Sequence, residues 1–400
     1  MGDCYISFNK ELKKETQELI EAGVKKEEAD AQTSVMKKAA QMLRDWEAGD
    51  SETVELWKKM NSWAIEGMKK TYNRTGVSFD KYYYESETYM LGKDEVLKGL
   101  EKGIFFKQED GSVAVDLTEE KLDKKILLRS DGTSIYITQD FGTAINRYKD
   151  WQFDKLIYVV GSEQQYHFKV LFIILEKLGY SWAKNLHHLS YGMVNLPEGK
   201  MKSREGTVVD ADELIDSLRD MALSEIKEKG REDDVGNPQE VAENIAIGAL
   251  HYFLLQPSPV KDMLFDPKES LSFTGNTGPY LQYMGARISS MLRKNEETGN
   301  KNKEPGIWNE VLFDAEWELV KLVNGYSSAV NEAAEKMDPS HLTGYLYELS
   351  KAFSRFYHEC PILTCDDPTL SKARLELSRA VMLVLKDAFY LVCIPFLNVM

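Results

Sequence analysis

Cysteine is scarce. Four residues in 400, Cys4, Cys360, Cys365 and Cys393, form no C-x-x-C pair and are too few for a disulfide framework, which points to a reduced, cytoplasmic protein. Histidine is also scarce: His167, His187, His188, His251, His341 and His358, with no two spaced three apart and no H-E-x-x-H among them. A metal-ligand set of recognised spacing is therefore excluded. The sequence has neither a G-x-x-x-x-G-K-[ST] phosphate loop nor a G-x-G-x-x-G turn. No signal peptide and no long uninterrupted apolar run occur. The most apolar tract, "VMLVLKDAFYLVCIPFLNVM", is broken by Lys386 and Asp387 and carries Pro395, so it reads as a buried terminal helix and not a membrane span. Ile6, where a serine or threonine would be needed, excludes the myristoylation pattern.

What is present is an acidic globular composition. Sixty-five acidic against 50 basic residues give a net charge of −15, which argues against coating nucleic acid by bulk electrostatics. It leaves room for recognition of a structured RNA through a local patch and stacking. The length suits two or three domains, and 43% hydrophobic residues suffice to give each a core.

The spacing predicts three regions: 1–120, 121–235 and 236–400. Residues 9–72 read as helices with charged faces and an apolar stripe that includes Leu43, Trp46, Leu56, Trp57, Met60 and Trp63. Gly49-Asp50-Ser51-Glu52 reads as a break followed by an N-cap. Alternation around a D-G turn predicts a β-hairpin near 103–117. A second D-G pair in "ILLRSDGTSIYITQD" joins two β-branched runs, the later one leading into a helix from "DFGTAINRYKDW". "KLIYVVG", "QYHFKVLFIILEKLGY" and "HLSYGMV" then form a strand, helix and strand, one crossover of a parallel sheet. Asp210 and Glu213 start a further helix, reaching about Lys229. "GREDDVGNPQE" is the boundary to an all-α bundle with helices near 238–256, 279–294, 309–337, 339–359 and 368–392. The expected fold is α/β plus all-α, mostly helical.

Between the second strand of the crossover and Asp210 lies "LPEGKMKSREGTVV", with Lys200, Lys202 and Arg204 on alternate positions between two glycines. A charge run of this kind is commonly only a solvated turn. Its place after the C-terminal end of a parallel strand is also where open α/β sheets bind ligands, and several cations together suit a polyphosphate. "GTSIYITQDFGTAINRY", "IYVVGSEQQYHFK" and "NTGPYLQYMGARI" complete the pattern. "GKMKSREGT" resembles the KMSKS loop of class I aminoacyl-tRNA synthetases. With the other three blocks, the chain from its first residues to Met400 resembles arginyl-tRNA synthetases.

The resemblance implies a Rossmann-like catalytic sheet with a helical insertion, followed by an anticodon-binding bundle. It implies ATP-dependent activation of arginine and transfer to tRNA(Arg), with magnesium arriving on ATP, no tightly bound cofactor, no membrane and a monomeric protein. By matched position, Lys200, Met201, Lys202, Ser203 and Arg204 occupy the catalytic loop. Ser203 stands where the second lysine is usual, so Lys202 or Arg204 supplies that charge. Tyr136, Asp140 and Gln164 match arginine-binding positions, since a guanidinium needs a carboxylate. Gly161 and His167 join Lys200 and Lys202 as ATP-binding positions. Tyr280, Tyr283 and Arg287 match an anticodon-contacting helix, and Tyr357 and Met400 match further tRNA-contacting positions. Each has a plainer reading: Asp140 as an N-cap, Tyr136 as a strand aromatic, Gln164 as a helix-start residue, His167 as structural, the tyrosines as core.

The family's H-x-G-H element is not found. The sequence is therefore expected to be a truncated member that begins inside the catalytic domain, keeps its natural C-terminus, has a short parallel sheet with an exposed or re-covered edge, and makes no arginyl-adenylate alone. Two other readings stand beside it: a non-catalytic tRNA-binding protein, and a nucleotidylyltransferase of the same superfamily.

Overall fold

The computed structural model describes residues 2–88, 91–195, 210–297 and 313–400. The cationic loop at 199–206 lies outside them.

Four helices open the chain: α1 (Gly2–Glu21), α2 (Lys26–Gln32), α3 (Ser34–Glu47) and α4 (Ser51–Arg74). Thr33 caps α3 by accepting from Met36 N, and Asp50 caps α4 by accepting from Thr53 N at 2.9 Å, satisfying amides that have no partner inside the helix. Trp46 and Trp57 meet edge to face across α3 and α4 at 5.5 Å. The apolar stripe around them is solvent-exposed: Leu43, Trp46, Leu56, Trp57, Met60 and Trp63 all keep a third or more of their surface open. A pair of crossing helices gives an indole a neighbour but no second layer to bury it.

Short α5 (Glu85–Thr88) and α6 (Leu91–Glu101) lead into an antiparallel sheet of β1 (Phe106–Lys107), β2 (Val113–Val115) and β3 (Lys125–Leu128), in that order. The predicted hairpin is its first half, turning at Gly111 with φ +91°. The second D-G turn also forms, at Gly132 with φ +79°, but the run after it is not a strand. One bridge, Leu128 to Ser134, is all that pairs, and α7 (Tyr136–Trp151) begins four residues earlier than the sequence suggested. Ile137, Phe141, Ala144 and Ile145 are buried at helical spacing, and that burial overrides the β preference of the isoleucines. Tyr136 and Asp140 therefore both belong to the first turns of α7, and Asp140 is not an N-cap.

β4 (Leu156–Gly161), α8 (Gln165–Lys177) and β5 (Leu186–Tyr191) form the predicted crossover, with β4 and β5 parallel in register from Leu156 opposite Leu186 to Gly161 opposite Tyr191. Phe168, Leu171, Ile174 and Leu175 of α8 join Ile137 and Phe141 in one core. Among the described residues this sheet has two strands, and Ile157 and Val159 are exposed, although parallel sheets usually have both faces covered.

β6 (Val194–Asn195) pairs in parallel with the distant β7 (Met263–Leu264). Between them, Asp210 caps α9 (Ala211–Glu228) and Asn237 caps α10 (Pro238–Leu255). A short α11 (Pro267–Ser270) precedes the bundle helices α12 (Gly278–Glu297), α13 (Asp314–Asn324), α14 (Tyr326–Lys336), α15 (Ser340–Glu359) and α16 (Pro368–Leu391). The single helix predicted for 309–337 is two, joined at Gly325, a poor helix former; residues 309–312 lie outside the described ones. α10 and α12 cross with almost no gap: a Cβ on Gly278 would stand 2.2 Å from the Gly248 carbonyl oxygen. Gln282 Nε2 donates to Asn244 O and Pro395 O, both at 2.9 Å, fixing the rotation of α12. Among the described residues no helix is long and apolar enough to cross a membrane.

Candidate functional sites

The first site lies at the C-terminal end of the parallel pair. Gly161 ends β4, and a single 3-10 turn, Ser162–Gln164, carries the chain into α8. There Gln165 Nε2 donates to Ser190 Oγ on β5 at 3.1 Å. The Tyr191 ring stands 3.8 Å from where a Cβ on Gly161 would be, an ordinary packing distance. Facing it, α7 presents Asp140, and His167 Nε2 lies 2.6 Å from Asp140 Oδ2. Tyr136, one helical turn before Asp140, is 74% exposed. Gln164 is exposed, three residues before His167. Asp140 and His167 are thus in contact, while Tyr136 stands one turn before Asp140 on α7 and Gln164 lies in the 3-10 turn that precedes α8. Lys200, Met201, Lys202, Ser203 and Arg204 lie outside the described residues.

Two residues near this site, Tyr158 and Arg147, lie inside the matched blocks but carry no role implied by the resemblance. The Tyr158 hydroxyl is buried with no hydrogen-bond partner among the described residues. Burial pushes its pKa up to about 12; the nearby Arg147 opposes the shift and the Asp140 charge adds to it. Arg147 places its guanidinium over Tyr83 at 5.3 Å and over Tyr158 at 5.7 Å. Only the close packing of β4, α7 and the segment before α5 unites them, so no local spacing signals them.

The second site is on the bundle. A cavity of about 520 Å³ is lined by Tyr283, Arg287, Tyr357, Met400, Arg231 and Arg293, among others. Arg287 is its centre: its guanidinium is 4.7 Å from the Tyr283 ring and 5.1 Å from the Tyr357 ring, and Nη2 donates to the Tyr283 hydroxyl at 2.8 Å. Cationic and aromatic faces around one open cavity can stack a nucleobase and hold a phosphate. Tyr280 does not line it. That ring lies 6.0 Å from Tyr347 and packs against the bundle core, and burial raises the pKa of its hydroxyl. An adjoining cavity of about 230 Å³ shares Arg231, Tyr283 and Met400 and has Lys229 over Phe273 at 4.5 Å. Arg231, Lys229 and Phe273 were not singled out from the sequence; Arg231 and Lys229 sit in or beside the polar boundary segment, where a cation reads as solvated, and Phe273 lies far along the chain between α11 and α12.

Residues 5–267 match the family model described as class I tRNA synthetases (R), catalytic domain, and residues 281–400 match the DALR anticodon binding domain. The chain is 62% identical to an arginine–tRNA ligase of Treponema denticola, over all of this chain and 66% of that protein. It is 50% identical to one of Bacteroides thetaiotaomicron, over 96% of this chain and 65% of that protein. The chain thus spans 66% or less of the length of these curated relatives. Among solved structures, arginyl-tRNA synthetase from Plasmodium falciparum superposes with a TM-score of 0.75 at 21% identity, covering 92% of this chain and 62% of that one. The Thermus thermophilus arginyl-tRNA synthetase gives 0.73 at 22%, covering 99% and 73%. At such identities these two likenesses speak to fold alone.

Proposed function

The chain belongs to the class I arginyl-tRNA synthetase family, and on that premise we propose that it carries the arginine-selecting and tRNA-reading parts of a cytoplasmic arginine–tRNA ligase. In the whole reaction the arginine carboxylate attacks the α-phosphate of ATP, pyrophosphate leaves, and the arginyl group then passes to the terminal adenosine of tRNA(Arg) with release of AMP. Asp140 pairs with the guanidinium, whose permanent charge and planar fork suit a carboxylate. Tyr136 adds a hydrogen bond from α7 and Gln164 adds one from the turn before α8. Gly161 allows ATP close to the end of β4, and His167 bonds Asp140. Lys200, Lys202 and Arg204 neutralise the departing diphosphate, with Met201 and Ser203 completing the loop. Magnesium enters with ATP as part of the substrate. Tyr283, Arg287, Tyr357 and Met400 read the anticodon loop, and Tyr280 supports the helix that carries Tyr283 and Arg287.

The observation that carries this reading is the convergence of Tyr283, Arg287, Tyr357 and Met400 on one cavity. A helical scaffold with no ligand has no need of an arginine held open between two rings. The sequence contains no H-x-G-H, and that favours a second reading for the chain alone, a tRNA binder without chemistry. Filter binding with tRNA transcripts and ATP–pyrophosphate exchange separate the two. Arginine anticodons should bind at least about tenfold more tightly than others, a difference of about 1.4 kcal/mol, while exchange stays at background. Equal binding of all transcripts would refute both readings. Exchange at a substantial rate with cognate tRNA would refute the non-catalytic one.

A further inference from the structure

His167 and Asp140 come from different helices, and their contact does more than fill space. An ionised carboxylate only accepts, so the imidazole donates from Nε2 to Asp140 Oδ2 across 2.6 Å, a short charge-assisted bond. The histidine is the better anchored of the two, with its side chain 23% exposed against 42% for Asp140. Its ring stands at 90° to Phe168, with centroids 5.6 Å apart. Phe168 is buried and lies 4.5 Å from the His188 ring, which donates to Val160 O at 2.9 Å. A continuous chain of contacts therefore runs from the parallel strands through Phe168 and His167 to the carboxylate. Among the described residues Oδ1 accepts no hydrogen bond.

An aspartate carboxylate turns easily about its last torsion. Turning costs little for an ammonium ion, which is a compact point charge, but much for a guanidinium, whose two parallel N–H bonds need a carboxylate held in their plane. Resting on the reading above, we propose that His167 is the positioning residue that fixes the plane of the Asp140 carboxylate and so makes it select a guanidinium over an ammonium. One oxygen is committed to the histidine through a single lone pair, and the remaining acceptor sites meet the arginine side chain. The histidine thus acts on arginine through Asp140 and not on ATP.

Calorimetric titration of the full chain with arginine, with lysine in competition, and with ATP tests this, in H167A, H167Q, D140N and the H167A/D140N pair, with a thermal melt of each. H167A should weaken arginine about tenfold and leave ATP and lysine unchanged. H167Q, whose Nε2 reaches a similar position, should recover most of the loss. D140N should abolish arginine binding, and H167A should add nothing to it, as for residues that act as one unit. Loss of ATP affinity with arginine intact, an equal loss of arginine and lysine, or no recovery in a stably folded H167Q would overturn the proposal. Arginine loss in D140N with no change in H167A sinks the positioning role and leaves the ligase reading standing. Undiminished arginine binding in D140N, or none by the unaltered chain, sinks both.

Discussion

Arg287 shows how much one side chain depends on its neighbours. Tyr283 lies four residues before it on the same helix and offers both a ring and a hydroxyl, while Tyr357 closes over the guanidinium from α15. Held between two rings, the guanidinium loses little freedom when a base stacks on it. R287A should weaken tRNA binding roughly 5- to 150-fold in filter binding, the range for losing one stacked base. Y283F, which removes only the hydroxyl bond, should cost less. Y280F should cost nothing measurable, because that ring faces Tyr347. The i, i+3, i+7 spacing of Tyr280, Tyr283 and Arg287 put all three on one face. Spacing gives angle but not height: at about 1.5 Å per residue, Tyr280 sits about 10 Å along the axis from Arg287. The two therefore meet different parts of α15. A loss for Y280F equal to that for R287A would contradict this division.

At the scale of elements, what was legible in the sequence was local chemistry. Asp50 and Asp210 are N-caps because their carboxylates reach amides two or three residues on, and Pro238 and Pro368 sit in first turns, where a missing N–H costs nothing. The strand–helix–strand unit of β4, α8 and β5 followed from apolar runs and glycines. What was not legible depends on partners far along the chain. The β-branched run after Gly132 became the start of α7 because a core awaited Ile137 and Phe141. The exposed tryptophans of α3 and α4 have an ordinary amphipathic pattern, and no pattern states whether a partner layer exists. Likewise, nothing local marks Arg374 on α16 as a buried residue. Its Nε donates to Glu316 Oε1 of α13 at 2.6 Å with both side chains nearly inaccessible, and Nη1 donates to Pro361 O at 2.6 Å. R374M should cost about 3–5 kcal/mol in denaturant unfolding, because it strands the Glu316 charge in the core. Changing Glu316 to methionine as well should recover much of that, since an apolar pair of similar volume carries no desolvation cost. A double variant no more stable than R374M would show that the pair does more than balance its own burial.

At the scale of the molecule, the opening helices are fastened to the region after the cationic loop by Arg74, the last residue of α4. Its guanidinium donates to Glu243 Oε1 on α10 at 2.6 Å, to Asp216 Oδ1 on α9 at 2.7 Å, and to the carbonyl and carboxylate of Asp212 at 3.1 and 3.2 Å. Thr71, one turn earlier, donates to Asp212 Oδ2 at 2.6 Å. Three carboxylates that would otherwise repel are thereby gathered on one fork, and the bond to Glu243 is the main reason the Arg74 pKa is held above its ordinary value. The same fork holds Asp216 below the usual aspartate range. A carboxylate with a depressed folded-state pKa contributes stability that is complete above its unfolded pKa and is lost as pH falls through the folded one. The fastening should therefore be intact at neutral pH and release below about pH 4. R74M should reproduce that release at neutral pH, seen as cleavage after residue 74 by a nonspecific protease accelerated about tenfold or more, with residues 210–400 staying resistant. R74K keeps the charge but cannot span three carboxylates, so it should fall between the two. If R74M and the unaltered chain are cut alike at both pH values, apolar contact alone holds α4 in place and the three hydrogen-bonded carboxylates are incidental to the joint.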